Sequence, residues 1–334
     1  MAFRNPRRST ARPIGDPAAT TATDGHAPPD GPDQATDEVI GEVADPDDPF
    51  DPALAPRRSN LRRAVDRFVR NRLAVVGLVF IVLISLAAIL APWLTPYQVA
   101  VQDVPNRLQP PSASNWLGTD EFGRDMLTRV LFGARVSLAV GFASVALLVV
   151  IGVSVGIASG YFRRLDGPLM RLVDLFLSVP GLFLLLLLVA LFGTGQRNTI
   201  LFIAVTNWMA TARLVRGQVL TLREREYVLA SWSVGSGPWA AIRRHFLPNI
   251  ADVVMVQATL TISLVILLEA SLSFLGLGTQ PPTPTWGNML SSGRNYMRAA
   301  WWVTTFPGLA IFFTVMAFNF VGDGIRDALD RRMA

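Results

Sequence analysis

The chain has 334 residues, of which 51% are hydrophobic and only 16% charged, where a soluble domain averages about 25% charged. Residues 1–72 hold 12 of the 25 acids and 11 of the 30 bases, a net of −1, while the remaining 262 residues carry a net of +6. There is no Cys, every base is Arg, and the only histidines are His26 and His245, which excludes disulfides, thiolate or His-rich metal centres, a P-loop lysine and a Schiff-base lysine.

Residues 1–60 read as a disordered tail. They are rich in Pro, Asp, Ala, Thr and Gly, and Pro13 to Pro56 holds 11 acids and no Lys or Arg, a composition that cannot bury a core. A solvated tail is the plain reading, and a regulatory or partner-binding tail is the alternative. No apolar h-region occurs in the first 30 residues, so no signal peptide is expected. Over 61–72, Leu61, Val65, Phe68 and Val69 recur at helical spacing, with Arg62, Arg63, Arg67 and Arg70 on the other face. That pattern predicts an interfacial helix that turns its cations to anionic lipid headgroups.

Uncharged runs at 73–102, 136–162, 175–196, 253–268 and 299–322 follow. About 20 residues cross a ~30 Å hydrocarbon core, so the chain is predicted to be an all-α integral membrane protein. Six spans are expected near 73–95, 131–160, 168–193, 199–220, 251–275 and 301–325, making 73–325 the membrane domain and 326–334 a short C-terminal tail. One set of loops carries the Arg of 62–72, then Arg163, Arg164, Arg171, Arg223, Arg225, Arg243, Arg244, Arg326, Arg331 and Arg332. The opposite set has Arg107, Arg124, Arg129, Arg197, Arg294 and Arg298, partly balanced by Asp103, Asp120, Glu121 and Asp125. The richer set is assigned to the cytoplasm, with both termini inside. Two external segments result, 96–130 and 276–300, the first with a short amphipathic helix from about Asp120 through Phe122, Met126 and Val130.

The longest ordered cytoplasmic loop is then 223–248 (REREYVLASWSVGSGPWAAIRRHFLP). Glu224 to Val234 reads as a helix, Gly235-Ser236-Gly237 as a break, Pro238 as the first position of a second helix, and Leu247-Pro248 as its stop. A helix–turn–helix with apolar side chains and a rim of Arg suits docking into another protein's groove; lying on the inner leaflet is the alternative. His245, beside Arg243 and Arg244, belongs to that surface.

This loop resembles the EAA loop of ABC-importer permeases, with Ala230 and Ser231 at the alanine pair, Gly235 at the glycine and Leu247-Pro248 at the end. Leu229 stands where the family has Glu, and Ser231 replaces the second Ala. If that Glu pairs with a basic residue on the ATPase, Glu226 or Glu224 must take over or the pairing is lost. Further segments share the resemblance: GTDEFGRDMLTRVLFGARVSL (118–138), RLVDLFLSVPG (171–181), ARLVRGQVLTLREREYV (212–228) and LEASLSFLGLGTQPPTPTWGNML (268–290). Together they are similar to the C-subunit of dipeptide and oligopeptide permeases, over about 61–334.

The resemblance implies a type I ABC-importer permease with a cytoplasmic coupling loop. It implies a second homologous permease, two nucleotide-binding domains on one or two chains, an extracellular solute-binding protein, and a peptide cargo, with membrane lipid around it and no nucleic acid. ATP and Mg would be held by the partner ATPase and no cofactor by this chain, which is not itself an enzyme. Coupling would run through Glu224, Glu226, Tyr227, Ala230, Ser231, Gly235, Pro238, Arg243, Arg244, Leu247 and Pro248. Nickel chelates or another small solute are the alternative cargo within the same architecture.

Several polar residues fall inside the expected spans. Glu269, near the outer end of span 5, is a candidate path residue that could meet a peptide's amino terminus; an interfacial Glu paired with an Arg is the alternative. Asn207 and Ser273 are further path candidates, and they and Ser178 could equally bond between helices. Asp174 and Arg213 are expected to pair or snorkel. Asp120, Arg124 and Asp125 are candidate contacts for the binding protein, with a self-paired surface helix as the alternative. Trp286, Trp301 and Trp302 read as interface-belt aromatics. A self-contained secondary transporter would want midplane coupling-ion carboxylates, and a membrane enzyme a nucleophile–base pair; the sequence favours neither.

Overall fold

The computed structural model describes residues 60–329. The tail before them, Arg331, Arg332 and the side chains of Leu61, Arg62 and Arg63 lie outside the described residues. The helices are α1 (Asn60–Arg70), α2 (Arg72–Ile89), α3 (Ala91–Leu94), α4 (Met126–Tyr161), α5 (Arg163–Ser178), α6 (Gly181–Phe192), α7 (Gln196–Arg223), α8 (Glu226–Ser233), α9 (Pro238–Ala241), α10 (Leu247–Phe274), α11 (Trp286–Gly293) and α12 (Trp302–Leu329). Among the described residues the only extended pairing is an isolated bridge between Thr119 and Asp125.

Among the described residues, four helices are long and apolar enough to cross a membrane: α2, α4, the continuous stretch Pro238–Phe274, and α12. A fifth span results if α5 and α6, bent by 87° at their junction, count as one. The sixth expected span falls on α7, whose 28 residues reach about 42 Å but include Arg197, Arg213, Arg216 and Arg223.

Three boundaries differ from those expected. The single helix at 168–193 is broken at Val179-Pro180, with Val179 extended, because proline removes a donor and drives the preceding residue out of helix. No helix begins at Asp120. Gly118 and Gly123 adopt φ of +77° and +74°, so 118–125 is a loop, and α4 starts at Met126 with Asp125 as its N-cap. Leu247-Pro248 does not stop a helix either. Residues 242–246 form a wider π-helical turn, and the helix runs on through Pro248 into α10. The wider turn accommodates the N–H that proline lacks.

Asn71 separates α1 from α2, its side chain accepting from Ala74 N at 3.2 Å. Val65 and Val69 of α1 are exposed while Phe68 packs inward beside Gly324 of α12. At the centre, α4 lies directly on α7. A Cβ at Gly152, Gly156 or Gly160 would fall 2.6–2.8 Å from Thr211, Val215 or Val219, the close backbone approach that small residues permit between membrane helices. The other side of α4 meets α10, with Gly141 against Ile266, and α11, with Gly133 against Trp286. Because α4 has 36 residues, it spans about 54 Å and joins two functional ends of the bundle.

Candidate functional site

At the end of the bundle where α4 finishes, α8 and α9 form a helix–turn–helix. Val234 closes α8, Gly235 follows at φ +84°, a left-handed conformation that glycine adopts without Cβ strain, and Pro238 starts α9. The inner side of this loop is core. Val228, Ala241, Phe246 and Ile250 are buried with Ile157, Val215 and Val219, and Tyr161 packs edge-on against both Trp232 and Phe246. Other apolar side chains of the loop are bare: Val234 is 88% exposed and Trp239 73%, and Tyr227, Leu229 and Leu247 are exposed as well.

Glu224, Glu226, Ala230, Gly235, Pro238, Arg243, Arg244 and Pro248 are exposed, as is Tyr227, while Ser231 is half-buried. Ser231 Oγ and His245 Nε2 lie 3.2 Å apart, within hydrogen-bonding distance, and the Tyr227 ring stands 5.8 Å from the imidazole. This links α8 to the turn before α10. Asn249 Nδ2 donates to His245 O at 2.6 Å, supporting the π-turn.

At the opposite end a polar network is buried. Glu269 is 0% exposed. Its Oε2 accepts from Ser137 Oγ of α4 at 2.9 Å, and its Oε1 from Ser273 Oγ one turn along α10 at 2.8 Å. Ser137 Oγ in turn accepts from Trp286 N at 3.4 Å, and Trp286 Nε1 donates to Val130 O at 3.1 Å. Thr285 caps α11 through a reciprocal pair with Asn288. The carboxylate therefore ties α4, α10 and α11 together, and its partners are hydroxyls, not the Arg that the sequence alternative names. In this conformation neither Glu269 nor Ser273 faces open space. Asn207 on α7 is exposed and donates to Ile203 O at 2.8 Å and Thr206 Oγ1 at 2.9 Å, within its own helix.

Asp120, Arg124 and Asp125 are buried too. Asp120 accepts from the N–H groups of Phe122 and Arg124 at 2.9 Å, from Arg124 Nε at 2.6 Å, and pairs with Arg129 Nε at 3.2 Å. Asp125 accepts from Thr128 N and Oγ1 and from Asn115 Nδ2. The exposed, self-paired surface helix is corrected to an enclosed charge network, which folds the 95–125 segment onto α4. Trp286 and Trp302 are corrected likewise: both are core, with Trp302 Nε1 donating to Thr119 O at 3.1 Å, and only Trp301 of the three is exposed. Asp174 and Arg213 pair with each other, both exposed.

Sequence reasoning gave no pairing role to Ser137, Asp166, Arg216 or Arg223, and it did not single out Trp232 as core. Ser137 lies 132 residues from Glu269, and no local pattern marks it. Trp232 sits inside the loop read as functional, but nothing in its spacing separates an inward from an outward aromatic.

Residues 127–334 match the family described as binding-protein-dependent transport system inner membrane component, and residues 59–111 match the N-terminal transmembrane domain of oligopeptide transport permease C. The chain is 44% identical over 290 residues to the di/tripeptide transport system permease protein DppC of Pseudomonas aeruginosa, covering 85% of this chain and 95% of that one. It is 43% identical over 273 residues to the dipeptide transport system permease protein DppC of Alkalihalophilus pseudofirmus, covering 81% and 90%. It is also 41% identical over 269 residues to the glutathione transport system permease protein GsiD of Pectobacterium atrosepticum, covering 80% and 89%.

Proposed function

Because the chain belongs to the family of binding-protein-dependent transport system inner membrane components, of the dipeptide and oligopeptide ABC-importer type, we propose that it forms half of a path for di- and oligopeptides and is moved by ATPases docked on α8–α9. The relatives' names speak of dipeptides, di/tripeptides and glutathione, which supports a peptide cargo. The second half of the path is a homologous permease, a solute-binding protein delivers the peptide, and the ATPases hold ATP and Mg. Counting α5–α6 as one bent span and α7 as another gives six crossings, with both termini in the cytoplasm. The Arg-rich α8 end then faces inward, as the charge asymmetry favours.

The observation that carries this reading is the two-sided loop. Its inner residues are core, yet Tyr227, Leu229, Val234 and Trp239 are bare, and an exposed apolar patch of this kind marks a partner surface. Glu224, Glu226, Arg243 and Arg244 supply its charged rim, Ala230, Ser231, Gly235 and Pro238 its bend, and Leu247-Pro248 its continuation into α10. ATPase closure would carry the loop inward and reorient the helices, alternating access about the path. Glu269 and Ser273 serve that path by anchoring α11 at its outer mouth, and Asn207 lies along α7.

Reconstitution tests the reading. Uptake of a labelled dipeptide into proteoliposomes is expected only with both permeases, the ATPases, ATP inside and loaded binding protein outside. Transport by this chain alone, or purification from a co-expressing cell without an ATPase, would contradict it.

A further inference from the structure

The loop is joined to the spans without slack. Only Glu224 and Arg225 separate the end of α7 from α8. On the last turns of α7, Arg213, Arg216, Leu220 and Arg223 share one face at ~100° per residue. Two of these arginines reach across to the elbow at Phe162, where α4 ends and α5 begins.

Arg216 forms a two-point pair with Asp166 in the first turn of α5, Nε to Oδ1 at 2.5 Å and Nη2 to Oδ2 at 2.7 Å. Such a fork fixes orientation as well as distance, and Asp166 also sits where a helix N-terminus favours an anion. Arg223 Nη1 donates to Gly160 O at 2.9 Å and Tyr161 O at 3.3 Å, carbonyls at the C-terminus of α4 that lack intrahelical donors. One helix end thus holds the last turn of α4 and the first turn of α5. Between this clamp and α8 opens a cleft of about 440 Å³, lined by Ser159, Arg163, Asp166, Arg223, Glu224 and Trp232.

We infer that Asp166, Arg216 and Arg223 are positioning residues of the coupling step, locking the α4–α5 elbow to α7 so that displacement of α8 turns all three helices as one lever. The inference rests on the docking of ATPases at α8–α9. Without the clamp, α8 can move into the cleft while the elbow stays behind, and the push is lost before it reaches the path. A chain of hydrogen bonds between rigid helices is the physical form that such transmission takes, and a charge exchange tests it as a pair.

The test uses the complete importer in proteoliposomes and reads peptide taken up per ATP hydrolysed in the presence of loaded binding protein. Asp166→Asn is expected to lower that ratio about tenfold, within the range of ordinary coupling free energies, and the exchange Asp166→Arg with Arg216→Asp to restore at least half of it. Arg223→Gln, which loses the charged donor to α4, is expected to lower the ratio in the same direction and serves if the Asp166 variants do not assemble. An unchanged ratio in assembled Asp166→Asn or Arg223→Gln importer, or no recovery in an assembled exchange variant, would overturn the inference. Failure of the docking reading looks different, because wild-type chain would then form no complex and show no ratio at all.

Discussion

At the α11 end of the bundle, Asp120, Arg124, Arg129, Glu269 and Trp286 are buried, and apart from Arg129 Nη1 they bond to one another or to hydroxyls and carbonyls nearby. At the α8 end, Val234, Trp239, Leu229 and Tyr227 stand bare beside uncovered Arg243 and Arg244. Both ends hang on α4, so the same helix joins a buried polar network, although Trp116 and Trp301 stand exposed near it, to a loop whose apolar side chains are open. The contrast teaches where a partner contributes. Charges enclosed at one end stabilise this chain by itself, whereas apolar area left in the open at the other is stabilised only by what covers it.

Breaking the closed end should therefore cost stability, and altering the open end should cost function alone. The largest expected effect is Asp120→Ala, which removes the carboxylate that Arg124 and Arg129 share and leaves only Glu121 near them, a loss of about 3–5 kcal/mol, read as a lower melting temperature and yield in detergent. Glu269→Ala removes the acceptor shared by Ser137 and Ser273 and should cost about 1–3 kcal/mol, with loosening of α11 visible as faster hydrogen exchange over 279–293. A Glu269→Gln variant with wild-type stability and lowered uptake would instead move Glu269 from anchor to path. Gly235→Val sharpens the other side. It forces a β-branched residue into φ +84°, with nothing within 4 Å to clash, so the turn changes shape, hydrolysis uncouples from uptake, and membrane insertion is retained. The smallest effect on stability belongs to Trp239→Ala, within about 0.5 kcal/mol as for other bare surface sites, although ATPase binding should fall.

Much of the scaffold was legible from charge spacing. The uncharged runs mark α2, α4, α6, α10 and α12, and the Gly-Ser-Gly break with Pro238 marks the bend of the loop. The rest depended on contacts between distant segments. The start of α4 at Met126 follows from Asp125 capping Thr128, a signal present in the sequence but outweighed by the charged, periodic look of 120–130. The passage through Pro248 needed a π-turn, for which residue type gives no warning. Glu269 was legible as an intramembrane carboxylate, but whether it faces a path or a serine depends on Ser137 on another helix. Pairing of Arg216 with Asp166 is hidden in the same way, because two charges 50 residues apart announce nothing about each other.

The chain has no native cysteine, so one introduced at Val234 is a unique label on the most exposed apolar position of the loop. In sealed, right-side-out vesicles of the complete importer, Val234→Cys should resist a membrane-impermeant maleimide added outside, and in inverted vesicles it should cross-link to an ATPase subunit with a yield that changes on adding ATP. Labelling from the outside, or no ATPase adduct from the inside, would contradict the account that this chain is a gate moved from its α8–α9 loop.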